Sequence, residues 1–324
     1  MLTLEGPWAV LTEVSVRPLQ EEDLPVADRI MRLAFGTFLG LPDPLEFMGD
    51  ADYVRTRSLA DNVAAFGAEI DGELAGSNFA TNWGSVGFFG PLTIRPDLWD
   101  RGVASCLLER TMECFTGWGI RHAGLFTFAH SPRHVHLYQK FGFWPRFLTA
   151  IMSKPVTETR PAGQWSRFSA MAQGDRLEAI RAARELTSRL YDGLDLAGEI
   201  RAVHSQNLGD TVLVWDDAGL AGLAICHRGP GSEAGSGACY VKFGAARTGA
   251  NAGKVFEQLL DACESFAASH GARRLIVGGN MAREEAFHAL VARGFRTDLQ
   301  GVSMHRPNEP GYNQPGAYVI DDWR

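Results

Sequence analysis

The feature that most constrains this chain is an internal repeat. Two segments share one design, AAFGAEI-DGE-LAGSNFA from residue 64 and VLVWDDAGLAGLAIC from residue 212. In each, Asp and Gly lie between alternating apolar runs, a pattern typical of a β-hairpin. Gly76 aligns with Gly222 at an offset of 146 (222 − 76), and Gly142 aligns with Gly294 at an offset of 152 (294 − 142). The chain therefore contains two copies of one fold.

The repeat and the length together predict two domains. A chain of 324 residues is long for one domain and suits two of roughly 150 residues each. We place the first domain at residues 1–157 and the second at residues 158–324, with the boundary in the segment TETRPAG (Thr157–Gly163).

The most informative stretch of the first copy runs from Phe89 to Phe143. Its apolar run Phe88–Ile94 predicts a buried strand, and a loop then leads to a helix whose apolar residues recur at helical spacing from Val103. A second apolar strand, Ala123–Ala129, precedes another helix. Ser131 and Pro132 begin that helix as an N-cap and a first-turn proline.

The loop before the first of these helices is suited to bind an anion. Backbone N–H groups at a helix start lack partners within the helix, and the helix dipole adds about half a positive charge. Here these groups belong to Arg101, Gly102, Val103 and Ala104. Gly102 and the small Ala104 would let a bulky diphosphate approach the backbone. The alternative interpretation is that Gly102 serves only the turn.

Both motifs resemble those of the GNAT acyltransferase superfamily. The family's acetyl-CoA loop has Arg or Gln, two residues, Gly, one residue, and Gly or Ala; here the loop is Trp99-Asp-Arg-Gly-Val-Ala104. The family's later helix ends in Leu-Tyr, Lys and Gly-Phe, as does the segment from Leu137 to Phe143. Three residues depart from the family pattern: Trp99 replaces Arg or Gln, Ser131 replaces Asn, and His134 replaces Ala.

The resemblance implies a fold and a cofactor site. The fold is α+β, with two tandem GNAT-like domains that are each a mixed, mostly antiparallel sheet flanked by helices. The co-substrate is acetyl-CoA, and no metal is required. The residues implied to bind acetyl-CoA are Leu92, Thr93, Ile94, Asp100, Arg101, Gly102, Val103, Ala104, Ser105 and Ser131.

The resemblance also implies a reaction, the direct transfer of an acetyl or short acyl group to a primary amine. A backbone N–H within Leu92–Ile94 would polarise the thioester carbonyl, and Tyr138 would donate a proton to the CoA thiolate. His134 lies one helical turn before Tyr138 and is the predicted base. His130, at the end of the preceding strand, is the alternative.

The second copy lacks the residues that carry this chemistry. Leu290 stands at the position of Tyr138, and the loop RTGANAG fits the diphosphate pattern poorly. We therefore predict a catalytic N-terminal domain and a degenerate C-terminal domain. Two alternatives stay open. One is a non-catalytic acyl-CoA-binding sensor or scaffold, which has no need of a tyrosine at the thiol; the other is catalysis by the second copy, which would need another acid.

Composition narrows the partners and the compartment. The net charge is −7 and no dense run of Lys and Arg occurs, which argues against nucleic-acid binding. Five cysteines without a CxxC pair favour reduced thiols in the cytoplasm. No run approaches the roughly 20 apolar residues of a membrane span. We expect a cytoplasmic protein that acts on a small-molecule amine; a homodimer is compatible with the sequence.

Other patterns have simpler structural explanations. Asp43, Glu46, Asp50 and Asp52 are candidates for an acidic rim around an amine, but solvated surface charge is the simpler interpretation. The histidines of residues 122–136 do not predict a metal site, because no Cys or carboxylate completes a ligand set. The Gly/Ser-rich segment 229–237 predicts a flexible hairpin loop. The last eight residues predict a strand that docks at a site the sequence does not specify.

Overall fold

The computed structural model describes residues 14–156 and 164–324. Helices flank a mixed, mostly antiparallel sheet, so the predicted α+β fold class is confirmed. The predicted boundary segment, Thr157–Gly163, lies outside the described residues. The division into residues 1–157 and 158–324 therefore stays a prediction.

The first half has the predicted order of strands and helices. The Asp71-Gly72 pair forms the turn between the two hairpin strands, and both residues have positive φ, 52° and 78°. The elements are β1 (Val14–Pro18), α1 (Leu24–Leu39), α2 (Val54–Ser58), β2 (Val63–Ile70), β3 (Glu73–Trp83), β4 (Val86–Phe89), β5 (Thr93–Ile94), α3 (Val103–Gly117), β6 (His122–Thr127), α4 (Pro132–Lys140) and β7 (Trp144–Pro155).

The second half repeats this order, except that one continuous strand, β11, stands in place of β4 and β5, and it ends in an additional short strand. Its elements are β8 (Gln164–Arg167), α5 (Gln173–Leu190), α6 (Ala197–Ser205), β9 (Gly209–Asp216), β10 (Gly219–Gly229), β11 (Gly235–Ala246), α7 (Ala252–Ser269), β12 (Arg274–Asn280), α8 (Glu284–Ala292), β13 (Arg296–Arg306) and β14 (Val319–Ile320). The C-terminal segment thus contains a strand, as predicted, but a shorter one.

The strands of both halves form one continuous sheet within the described residues. Its order is β1-β2-β3-β4-β6-β13-β7-β12-β11-β10-β9-β8, with β5 on β3 and β14 on β11. Strand β13 of the second half therefore pairs with β6 of the first half, while β7 of the first half pairs with β12 of the second. Each half contributes its last strand to the sheet of the other, so neither half completes its sheet without the other.

The repeat holds at the level of strand register. In the first half the parallel pairing of β4 with β6 begins with Val86 opposite His122; in the second half β11 pairs with β12 from Ala238 opposite Arg274. Both offsets are 152 (238 − 86 and 274 − 122). The two halves therefore share one strand register at the centre of each sheet.

The predicted continuous strand Phe88–Ile94 was wrong over Gly90–Leu92. Strand β4 ends at Phe89, Gly90 has a φ of 143°, and β5 begins at Thr93 by pairing with β3. A φ in this region is open to glycine and strained for other residues, so Gly90 interrupts the extended backbone. Because β4 diverges from β6 here, a gap forms between the two strands.

A buried network of charged side chains joins the two halves beside this gap. The Arg57 guanidinium on α2 donates to both carboxylate oxygens of Glu233, at 2.9 and 3.0 Å. The Lys242 ammonium contacts Glu233 at 2.8 Å and Glu199 at 2.7 Å. Burial raises the pKa of Glu233, but the Arg57 and Lys242 charges outweigh burial and hold that pKa well below its ordinary range. Glu233 lies in the Gly/Ser-rich segment, so this predicted surface loop is a hairpin anchored by a buried carboxylate.

Three buried histidines make stability depend on pH. Burial lowers the pKa of His122 to about 4, that of His305 to about 3 and that of His227 to about 4. His122 Nε2 lies 3.1 Å from His305 Nδ1, so one proton at most can be accommodated between these rings. A histidine with a lowered folded-state pKa contributes stability that is complete above its unfolded pKa of about 6.5 and is lost as the pH falls from there toward the folded value.

We therefore expect the free energy of unfolding to fall between pH 7.5 and pH 5.0. The loss is about 2 kcal/mol for each histidine that stays neutral in the fold, since 1.5 pH units below pKa 6.5 correspond to about that amount. Urea unfolding at the two pH values measures it. His227→Gln should reduce the difference in the free energy of unfolding between the two pH values by about 2 kcal/mol, the contribution of one histidine. His136→Gln, at an exposed position of α4, is the control and should leave this difference unchanged. Equal stability at both pH values would contradict the prediction.

Candidate active site

A cleft of about 760 Å³ opens where β4 and β6 separate. One wall is the interrupted strand, Phe89 to Ile94, and the opposite wall is Phe126 to Phe128 at the end of β6. The start of α3, one face of α4 and one face of α1 complete the walls. The cleft therefore brings the predicted anion loop, the predicted acid and the segment after α1 into one space.

The predicted anion loop lies at one end of the cleft. Gly102 is the N-cap of α3 and has a φ of 84°; a Cβ built on it would meet no atom within 4 Å. Asp100 also has positive φ, 65°, so two left-handed residues curl the backbone ahead of the helix. Most predicted loop residues line the cleft, namely Asp100, Gly102, Val103, Ala104 and Ser105, whereas Arg101 is exposed and does not line it.

Trp99, which departs from the family pattern, anchors this loop. Its indole N–H donates to the carbonyl oxygen of Ile94 at 2.9 Å, which joins the loop to β5. The Arg133 guanidinium lies over its ring, 5.2 Å from the centroid, and pairs with Asp100 at 3.2 Å. Arg133 and Lys140 both line the cleft. The loop therefore has a helix N-terminus and the Arg133 guanidinium beside it, which fits a ligand with phosphate charges.

The interrupted strand presents its backbone to the cleft. Leu92, Thr93 and Ile94 all line it, as predicted for residues along a ligand. Thr93 and Ile94 pair with Ser77 and Gly76 of β3, while Leu92 lies in the break before that pairing begins. A hydrogen bond fixes the backbone at this break, because Arg57 Nη1 donates to the Gly90 carbonyl oxygen at 2.6 Å.

Tyr138 lies on the cleft-facing side of α4 and is almost completely buried. Its ring packs against Phe89, with centroids 5.8 Å apart. Burial raises the pKa of Tyr138 well above its ordinary value, and a hydrogen bond with the Thr127 side chain offsets part of this rise. The phenol is therefore protonated at neutral pH and is able to donate its proton to a group in the cleft.

His134 lines the cleft one helical turn before Tyr138. Its ring lies between Phe38 and Phe128, at centroid distances of 4.9 and 6.3 Å, and its Nδ1 is buried without a hydrogen-bond partner. Burial, followed by the charge of Arg133, lowers the pKa of His134. The imidazole is thus neutral at pH 7 and can accept a proton.

Ser131 and His130 occupy the turn before α4. The Ser131 hydroxyl accepts a hydrogen bond from the His134 backbone N–H at 3.4 Å, as predicted for an N-cap. Ser131 does not line the cleft, so its predicted contact with a cofactor stays a prediction. The alternative base, His130, is exposed, with its ring 5.9 Å from that of Phe38.

The end of the cleft away from the anion loop is aromatic and apolar. Phe35 stacks on Phe47 at 5.1 Å, and Phe38 packs on Phe128 at 4.8 Å. Tyr53, Trp323 and Arg324 also contribute to the lining. Sequence reasoning missed these residues, since neither periodicity nor motif connects α1 with the C-terminal segment.

The acidic residues considered as a rim do not line this cleft. Asp43 accepts the Leu45 backbone N–H at 3.0 Å, and Asp52 accepts that of Arg55 at 2.9 Å. Asp50 accepts the Ser236 backbone N–H at 2.7 Å and so ties the first half to the second. Glu46 is exposed in a short 3-10 turn. The simpler interpretation as structural and surface charge is the one the contacts support.

Within residues 14–156 and 164–324, no group of three or more His, Cys, Asp or Glu side chains could hold a metal ion. None of the helices there is both long and apolar enough to cross a lipid bilayer.

Comparison with known proteins agrees with this geometry. Residues 29–143 match the family model of the acetyltransferase (GNAT) family. No curated protein sequence matches the chain significantly. A tandem GNAT protein from the clavulanic acid biosynthesis pathway has a similar structure, with a TM-score of 0.56 and 13% identity over 90% of this chain and 98% of that one. Residues 29–143 therefore match the GNAT family, and the chain as a whole has the fold of a tandem GNAT protein.

Two other structures similar to this chain cover nearly all of it. One is a candidate acetyltransferase from Pyrococcus horikoshii, with a TM-score of 0.67 and 14% identity over 96% of this chain and 95% of that one. The other is a GCN5-related N-acetyltransferase from Sphaerobacter thermophilus, with a TM-score of 0.56 and 14% identity over 90% and 95%. At such identities the likeness shows the fold alone. The family match, which lies wholly within the first half, supports acyl transfer as the general chemistry.

Proposed function

We propose that this GNAT protein is an acetyl-CoA-dependent N-acyltransferase whose active site is the cleft of the first half. The observation that carries the proposal is that one cleft contains the N-terminus of α3, the interrupted strand and Tyr138. When bound, acetyl-CoA supplies an acyl group activated as a thioester. The residues at the anion loop, with Gly102 leaving open space and Arg133 nearby, fit its diphosphate.

Each catalytic role falls to a residue that lines the cleft. The Leu92 backbone N–H is the candidate to polarise an acyl carbonyl, because it lies in the break before β5 pairs with β3. His134 is neutral and has a free ring nitrogen to accept a proton from an incoming amine. Tyr138 is protonated and donates to the leaving thiolate. Acid and base are thus one helical turn apart.

We infer that the acceptor is a small primary amine with an apolar or aromatic body. The acceptor end of the cleft is lined by Phe35, Phe38, Phe47 and Met48, and Trp323 also contributes to the lining. Aromatic walls favour an apolar body, whereas a polycation would bury its charges there without partners. Thiol release with arylalkylamines, linear polyamines and amino sugars compares these classes.

Two glycine substitutions test the cofactor site. Gly102 and Gly249 both have positive φ and open space around Cβ, and they lie in the corresponding loops of the two halves. Glutamate at position 102 would place a carboxylate against the diphosphate. We expect Gly102→Glu to weaken acetyl-CoA binding about 100-fold or more in isothermal titration, while the matched Gly249→Glu leaves the affinity within about twofold.

Three results of this titration are decisive. Loss of binding in Gly102→Glu alone supports the proposed site. Loss in Gly249→Glu alone would move the site to the second half. Absence of acetyl-CoA binding by the unmodified protein would overturn the proposed function.

A further inference from the structure

The C-terminal segment, residues 318–324, runs through the centre of the second half. Strand β14 pairs antiparallel with β11, with Val319 opposite Ala245 and Ile320 opposite Gly244. The Ala246 backbone N–H extends this pairing by donating to the Tyr318 carbonyl oxygen at 3.0 Å. All residues from Val319 to Trp323 are buried. The segment is thus a packed part of the fold.

The segment fills the gap between β11 and β12. These strands pair in parallel as far as Val241 opposite Val277. Beyond that point the C-terminal segment lies between them. A Cβ on Gly278 of β12 would lie 2.4 Å from the Asp321 carbonyl carbon. In the first half the corresponding strands separate after Phe88 opposite Gly124, and there the gap is the open cleft. The C-terminal segment therefore fills, in the second half, the gap that corresponds to the open cleft of the first half.

Side chains of the segment also occupy the two helix starts that border this gap. Tyr318 reaches the start of α7, where a Cβ on Gly253 would lie 2.8 Å from its hydroxyl oxygen. Helix α7 is the counterpart of α3, whose start forms the anion loop in the first half. Asp321 forms an ion pair with Arg283, the N-cap of α8, and Arg283 also donates to the Val319 carbonyl oxygen at 2.9 Å. Arg283 is the counterpart of Ser131 (283 − 131 = 152).

After Asp322 the segment crosses into the first half. The Trp323 ring packs on Gly124 of β6, where a Cβ would lie 2.1 Å from it, and Trp323 and Arg324 both line the first cleft. The Arg324 guanidinium lies 4.1 Å from the Tyr240 ring centroid, with its Nε 3.4 Å from the Asp322 carboxylate. Arg57 Nη2 donates to the Arg324 carbonyl oxygen at 2.5 Å. The end of the segment is thereby fixed beside the acceptor end of the cleft.

We propose that the C-terminal segment occupies the gap of the second half that corresponds to the acetyl-CoA cleft of the first half. The same segment places Trp323 and Arg324 at the acceptor site of the first half, where they are specificity-determining residues. The inference rests on the proposed function. It accounts for a second half that keeps the fold and the register but whose cleft is filled by its own chain. It assigns one cofactor site to each chain and makes acceptor selection depend on both halves.

The first test is the binding stoichiometry of acetyl-CoA, measured by equilibrium dialysis on the full-length protein. We expect one acetyl-CoA per chain, and none at the same concentration in Gly102→Glu. Two per chain in the unmodified protein, with one remaining in Gly102→Glu, would overturn the occupied-cleft proposal while leaving the proposed function intact. No binding at all would instead overturn the proposed function, so the two failures are distinguishable.

The second test separates acceptor recognition from cofactor binding. We expect Arg324→Gln and Trp323→Phe each to raise the acceptor KM about tenfold while the acetyl-CoA Kd stays within about twofold. Arg324→Lys should recover part of the loss, because it keeps the charge. Arg201→Gln, at an exposed position of α6, is the matched control. An unchanged acceptor KM in both Arg324→Gln and Trp323→Phe would overturn the specificity role.

Discussion

Tyr138→Phe is expected to lower kcat by about 100- to 1,000-fold while acetyl-CoA binds with its normal affinity. The substitution removes one hydroxyl from a buried ring and keeps the packing against Phe89. The hydroxyl, whose pKa is raised by burial, is protonated throughout the neutral range and so carries a proton to donate. Without it, the thiolate must leave unprotonated or take its proton from water.

Single-turnover thiol release and isothermal titration measure the two quantities separately. Tyr191→Phe is the matched control, since Tyr191 lies outside the cleft and stacks on Arg121. Turnover within threefold of the unmodified protein would show that another group is the acid. A parallel loss of acetyl-CoA binding would instead assign Tyr138 to binding.

The second large effect is on stability. Glu233→Ala is expected to lower the free energy of unfolding by about 3–5 kcal/mol, because it leaves two buried cations without their shared carboxylate. Those cations are Arg57, from the first half, and Lys242, from the second. The change also removes the anchor of the hairpin between β10 and β11. Since Arg57 holds the Gly90 carbonyl, the shape of the cleft should be affected as well.

Urea denaturation at pH 7.5 tests this prediction. Glu113→Ala is the control, because Glu113 also pairs with an arginine, Arg110 at 2.8 Å, but on the exposed surface of α3. An exposed pair of this kind contributes about 0–1 kcal/mol. A loss for Glu233→Ala no greater than that of the control would show that the buried network contributes little net stability.

The elements that were predicted well are those whose conformation is set by residues close together in the sequence. The hairpin over residues 63–83 follows from Asp71-Gly72, whose positive φ angles are suited to a tight turn. The start of α4 follows from Ser131 and Pro132, which cap it as expected. Tyr138 and the loop around Gly102 belong to motifs with short spacing, so their placement in one cleft could be anticipated.

The elements that were missed depend on contacts between distant parts of the chain. Phe35 and Phe38 reach the cleft because α1 packs beside the end of β6. Glu233 belongs to a segment whose composition is typical of a surface loop, and its burial is decided by Arg57, 176 residues away. No pattern of periodicity or spacing carries that pairing.

The sequence by itself determined the repeat, the order of strands and helices, the turns and the motifs on which the proposed active site rests. These depend on backbone conformations and side-chain periodicities that act over a few residues. Only the tertiary structure decided the exchange of β7 and β13, the buried charge network and the path of the C-terminal segment. Strand exchange is not encoded locally, because either final strand can supply the same backbone hydrogen bonds and a similar apolar face. The choice between them depends on how the two halves pack together.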